Sequence, residues 1–123
     1  MNTPTINYLE FPCQDMEATR TFFGTVFGWE FTDYGPDYMS FSGQQAGVDG
    51  GFFRSEHSSS TTNGAALVVF FSENLEATME KIVACGGIIV QPMFDFPGGR
   101  RFHFSEPSGN EFAVWGAAEN TDG

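Results

Sequence analysis

The sequence predicts an α+β fold: two βαβββ modules in a pseudo-twofold arrangement that form a cupped mixed sheet. Three observations carry this. The 123 residues suffice for one domain with a proper core. An internal repeat of constant offset fills that length. Each copy runs through the same order of apolar patterns and turn signals. Asp15-Met16-Glu17-Ala18-Thr19 resembles Asn74-Leu75-Glu76-Ala77-Thr78. Ala18 and Ala77 are 59 residues apart, as are Gly28 and Gly87, and the same offset sets residues 6–11 against 65–70. A period this long, present twice, marks a doubled domain rather than a solenoid.

The first module spans about residues 5–54 and the second 65–116, with a linker at 55–64 and a tail at 117–123. Each module opens on a strand (6–11 and 65–71) of β-branched or aromatic residues. A helix follows. Asp15 and Asn74 suit N-caps, and Glu17 and Glu76 put negative charge in the first turn, where the helix dipole favours it. Leu75, Met79, Ile82 and Val83 recur at helical spacing as one apolar stripe. Met16, Phe23 and Phe27 form its counterpart, widened by Phe22 and Val26. Gly28 and Gly87 stand where C-terminal glycines stop helices. Short strands at 29–32, 38–42 and 48–54 then match those at 88–91, 100–105 and 111–115. Turns at Tyr34-Gly35-Pro36-Asp37, Phe96-Pro97-Gly98-Gly99 and Glu106-Pro107-Ser108-Gly109-Asn110 divide them. The polar linker is expected to be mobile and the tail frayed.

Composition narrows the partners. A 41% hydrophobic share argues against disorder, and no apolar run approaches the roughly 20 residues that cross a bilayer. Five Lys and Arg against 16 Asp and Glu give a net charge of −11. Such a surface repels phosphate backbones and anionic lipid, which argues against nucleic-acid and membrane partners. Fifteen of the aromatic residues are Phe, against two Trp and three Tyr. This apolar area has no polar handle, so it fills a core, the default, or lines a cavity. The first residues lack the basic and apolar stretches of a secretory signal. Cys13 and Cys85 have no CxxC spacing and no nearby His; they read as free thiols in a cytoplasmic protein, with a disulfide as the alternative.

The repeat resembles the vicinal oxygen chelate superfamily, which includes glyoxalase I, extradiol dioxygenases, fosfomycin-resistance enzymes and bleomycin-binding proteins. The resemblance rests on Asp15-Met16-Glu17-Ala18-Thr19 running to Phe22-Phe23, on Phe27-Gly28-Trp29, and on Glu106-Pro107-Ser108-Gly109-Asn110-Glu111 before the last strand. It implies paired modules around a central cavity, commonly as a homodimer. It does not imply one reaction. In metal-dependent relatives, His or Glu ligands stand at pseudo-symmetric positions on the first and last strands of each module. Those positions fall here on Tyr8, Leu67, Ala113 and the Gly51-Phe52-Phe53 run. None forms a ligand set, so no metal and no cofactor is expected. His57, in the polar linker, reads as solvated.

Side chains two apart on a strand share a face. Phe102, Phe104, Phe112 and Val114 suit a helix-covered face, which turns Arg101, His103, Glu111 and Trp115 toward the cup. On the first strand Tyr8 and Glu10 take the cup side, and on the fifth Leu67, Val69 and Phe71. The candidate catalytic group is His103 with Glu10 and Glu111, where a carboxylate beside an imidazole makes a base. Tyr8 is expected to donate a hydrogen bond to a ligand. Tyr8, Leu67, Val69, Phe53, Arg101 and Trp115 are the candidate ligand-binding residues. A structural ion pair from Arg101 to Glu10 or Glu111 is the competing reading of the charges, with His103 a satisfied strand histidine. Three functions stay open: metal-free binding of a small, partly apolar molecule, a metal-independent lyase or isomerase using the His/Glu pair, and a divalent-metal glyoxalase- or dioxygenase-type enzyme.

Overall fold

Each half of the chain folds as the repeat dictates. In the computed structural model, which describes residues 3–118, the order is β1 (Tyr8–Cys13), α1 (Met16–Phe27), β2 (Phe31–Asp33), β3 (Tyr38–Phe41), α2 (Gly43–Ala46) and β4 (Asp49–Arg54). The second half runs β5 (Val68–Phe71), α3 (Leu75–Ala84), β6 (Ile88–Phe96), β7 (Gly99–Ser105) and β8 (Glu111–Gly116). Two four-stranded sheets result, ordered β1-β4-β3-β2 and β5-β8-β7-β6. In each, the first strand lies parallel to the last and the other pairs are antiparallel. The halves therefore share one topology. No helix among the described residues is long and apolar enough to cross a membrane.

Helix ends follow local chemistry. Asp15 accepts from the Ala18 amide at 3.0 Å, and Asn74 from Ala77 at 3.1 Å. Gly28 closes α1 with φ of 73° and donates to the Phe23 and Gly24 carbonyls. The α3 terminus departs from the expected match. There the left-handed residue is Gly86 (φ 97°), one position early. Gly87 is instead a packing glycine: a Cβ on it would lie 2.5 Å from Ile82 Cγ2. Three further departures have simple causes. The one-turn α2, capped by Ser42 and Gly47, is too short to show a helical period. β6 continues past Pro92 to Phe96, with register shifts between Ile89 and Phe94 that accommodate the missing proline N–H. The linker, expected mobile, is held in the middle: Ser59 donates to Asn110 Oδ1, its carbonyl accepts from the Glu111 amide, and Thr61 donates to Glu111 Oε1. Residues 119–123 of the expected frayed tail lie outside the described residues.

The core lies between the sheets and belongs to both modules. Phe23 of α1 meets Phe52 of the first sheet and Phe112 of the second, each at 5.5 Å between ring centroids. Phe22 packs on Phe104, and Phe27 stacks on Phe70 at 4.3 Å. Phe102, Phe104, Phe112 and Val114 are fully buried, as strand alternation requires. Most of the phenylalanine excess thus goes to the core, where each buried ring contributes about 1.5–3 kcal/mol.

The Glu106–Asn110 turn fastens one module to the other. The Glu106 carboxylate, 2% exposed, accepts from Thr19 Oγ1, the Ser108 amide and Asn110 Nδ2 at 2.7–2.8 Å. Asn110 also donates to the Pro12 carbonyl. Burial raises the Glu106 carboxyl above its ordinary value, because the hydrogen bonds offset only part of the desolvation.

Candidate functional site

Because the shared core covers the inner side of each sheet, the candidate residues stand on the outer sides. On the first sheet Tyr8 and Glu10 project from β1 and Tyr38 from β3. The Tyr38 hydroxyl donates to Glu10 Oε2 at 2.8 Å. Tyr8 and Tyr38 oxygens lie 2.6 Å apart. Since the single Tyr38 proton goes to the carboxylate, Tyr8 is the donor to Tyr38. Its outward lone pairs are then acceptors, so Tyr8 does not supply the expected donor to a ligand. Tyr38 reaches across the sheet over Gly51, where a Cβ would sit 2.3 Å from the phenolic oxygen. Burial first, then the bonds with Tyr8 and Glu10, push the Tyr38 phenol well above its ordinary range. Phe53, 39% exposed, pairs with Tyr38 in register.

The second sheet carries different chemistry. His103 Nδ1 lies 2.9 Å from Glu111 Oε2, a diagonal pair across β7 and β8. Glu111 Oε1 accepts from both the amide and the hydroxyl of Thr61, at 2.8 and 2.9 Å. Burial alone would raise the Glu111 carboxyl, but the Thr61 amide, His103 and the Thr61 hydroxyl outweigh it, and the group lies below its ordinary value. An ionised Glu111 requires a proton on Nδ1, so neutral His103 presents an acceptor lone pair at Nε2. That nitrogen is buried and has no hydrogen-bond partner. Arg101, two residues away on the same face, has its guanidinium carbon 5.3 and 5.8 Å from the Phe94 and Phe96 ring centroids. Trp115 faces Arg101 in register and Ala113 faces His103. Val69 and Phe71 on the edge strand are 41% and 57% exposed, and Leu67 directly precedes that strand.

The structure therefore unites His103 with Glu111 and leaves Glu10 on the other sheet, bonded to Tyr38. The expected single charged cluster is two clusters. Nor does Arg101 pair with either glutamate: Glu10 is engaged by a phenol and Glu111 by the imidazole and Thr61. Tyr38, Thr61, Phe94 and Phe96 were not among the sequence candidates. Alternation along β3 places Tyr38 on the Tyr8 face, a signal available in principle; Thr61 sits in a segment with no periodicity at all. An apolar cavity of about 330 Å³ lies at the seam between modules, lined by Leu9, Phe27, Trp29, Phe70 and Gln45 and, from the edge strand, by Val69 and Phe71. Of the sequence candidates, Val69 alone lines it.

Residues 5–114 match the Glyoxalase/Bleomycin resistance protein/Dioxygenase superfamily. The chain belongs to this superfamily. A glyoxalase-related enzyme from Fulvimarina pelagi shares the fold at TM-score 0.75 and 18% identity, over 98% of this chain and 96% of that one. A glyoxalase/bleomycin resistance protein/dioxygenase family enzyme from Burkholderia phytofirmans PsJN gives 0.74 and 16%, over 90% and 97%. The fosfomycin resistance protein FosX from Listeria monocytogenes gives 0.75 and 15%, over 95% and 96%. No curated protein matches by sequence. The positions expected to match the superfamily's metal ligands carry a phenol at Tyr8, apolar side chains at Leu67 and Ala113, and the Gly51–Phe53 run. Among the described residues no three His, Cys, Asp or Glu side chains converge. This donor set does not fit a divalent cation gripped in the superfamily's manner.

Proposed function

We propose that the protein binds a small, partly apolar molecule on the outer face of the second sheet, as a homodimer and without a metal, and that His103 accepts a proton from it. The observation that carries this reading is the His103 ring: one nitrogen is held by a buried carboxylate, and the other is buried and unpartnered. A carboxylate that fixes the tautomer and stabilises the imidazolium is the arrangement general-base catalysis needs. Val69, Phe71 and Trp115 supply the apolar floor. The metal-free part of the reading rests on the donor set at the ligand positions. The dimer is supported by the exposed apolar side chains of Tyr8, Phe53, Val69 and Phe71 on the outer faces. A reducing cytoplasm suits the two free cysteines, Cys13 and Cys85.

Sequestration without turnover is the second reading, favoured by the exposed apolar side chains of Val69 and Phe71. Two experiments separate the possibilities. Metal analysis of the purified protein tests the first clause: stoichiometric zinc, nickel or iron would refute it. A molecule recovered from the purified protein by mass spectrometry is then incubated with it in D2O. Solvent deuterium appearing at carbon, lost in His103→Ala with affinity kept, supports proton transfer. No exchange, with affinity lost in that variant, supports sequestration.

A further inference from the structure

We infer that Arg101 is an anion-recognition site, so that the ligand of the second-sheet face is an organic oxyanion on an apolar body. This rests on the small-molecule reading above and names the ligand class. Every other arginine of the described chain has a carboxylate: Arg20 pairs with Glu17 and Asp33, Arg54 with Asp37, Arg100 with Glu76. Arg101 makes no ion pair or hydrogen bond among the described residues, and its Nε is buried without a partner. An unpaired guanidinium is conspicuous in a chain with 16 acids and a net charge of −11. Local acids would neutralise it if charge balance alone were at stake.

The Phe94 and Phe96 rings do for Arg101 what a carboxylate does elsewhere: they hold the cation by its π-attraction and restrict its rotamers. They leave the in-plane N–H donors uncommitted, and that fork matches the two oxygens of a carboxylate or phosphate group. Restriction in advance lowers the entropy cost of binding. Arg101 and His103 project from the same face two residues apart, which puts their Cα atoms about 7 Å from one another. A ligand anchored by its oxyanion on Arg101 thus has its next few atoms beside the unpartnered His103 nitrogen. Trp115, opposite Arg101 in register, offers its ring to the apolar body.

The test is a binding titration of the 15N-labelled protein, followed by amide shifts, with phenylacetate, phenylphosphonate and the neutral 2-phenylethanol. Both anions are expected to bind at least tenfold more tightly than the alcohol, with shifts centred on Arg101, His103 and Trp115. Arg101→Gln should erase the preference and Arg101→Lys should weaken it, whereas Arg100→Gln, which breaks the Glu76 pair, should leave it intact. A preference for one anion alone identifies carboxylate or phosphoryl as the group read. Equal binding of all three probes at this face would overturn the anion site while leaving the small-molecule reading standing. A preference that survives Arg101→Gln would overturn it too. Binding of none of the probes at this face would count against both.

Discussion

The two outer sheet faces belong to modules of one topology and do opposite things with their polar groups. On the first, Tyr8 donates to Tyr38 and Tyr38 to Glu10, so the protons of the chain are committed and only lone pairs look outward. On the second, Glu111 is saturated by Thr61 and His103, while the far nitrogen of His103 and the Arg101 Nε are buried and left without a partner. The lesson is that the two halves agree in topology and differ in what faces out. The N-caps Asp15 and Asn74 and the common strand order keep the scaffold alike in both halves. The exposed positions have diverged into a closed relay and an open one.

The comparison breaks most severely if the shared core is removed. Phe112 touches Phe11, Phe23, Phe70 and Phe104, rings from both modules. Phe112→Ala is expected to cost about 3–5 kcal/mol, and urea unfolding followed at Tyr38 and at His103 should move by the same amount. Separate midpoints at the two probes would mean that the faces rest on independent cores. A smaller, one-sided effect is expected from Glu111→Ala. It leaves the Thr61 donors unsatisfied, at about 1–3 kcal/mol by urea unfolding, and changes amide shifts around His103 but not around Tyr38.

The other face is disturbed by Gly51→Ala, which forces the Tyr38 ring off the sheet at about 1–3 kcal/mol. Absorbance at 295 nm should then show the late-ionising phenol returning toward the ordinary tyrosine value of about 10. If that phenol still ionises late, the Tyr38 path across Gly51 is not what protects it.

The smallest effects are in pH. Glu111 lies below its ordinary value, so its stabilisation is present above about pH 4.3 and is lost as pH falls through the folded-state value. Glu106 lies above it, so its contribution has the opposite sign: full below about pH 4.3 and lost as pH rises through the folded-state value. In unfolding free energies from pH 3 to 7, Glu111→Gln should flatten the acid limb and Glu106→Gln the loss at higher pH. Interchanged effects would contradict both assignments.

How much of this was legible in sequence follows from what each feature depends on. The modules were, because caps, apolar stripes and turn residues are local, and the offset of 59 residues ties two noisy signals together. The inner and outer sides of the strands were too, since alternation decides them: Phe102 and Phe104 inward, Arg101 and His103 outward. Which outward groups meet was not. Glu10, Glu111, Arg101 and His103 share a parity, but parity does not say which sheet a residue stands on, and two separate sheets divide the cluster. Thr61 was invisible for a different reason: its role comes from Glu111, a residue 50 positions away, and not from its neighbours. The linker read as slack because polar runs carry no period, whereas buried carboxylate and amide groups at Glu111 and Asn110 needed its backbone.

A base on the second face depends on the protonation of one ring. Long-range 1H–15N correlation of the His103 imidazole near neutral pH reads it directly. The neutral ring should carry its proton on Nδ1 and show an unprotonated Nε2, and Glu111→Gln should dissolve that preference. A ring protonated on Nε2 alone, or a tautomer indifferent to Glu111, would contradict the claim that the second face holds a base.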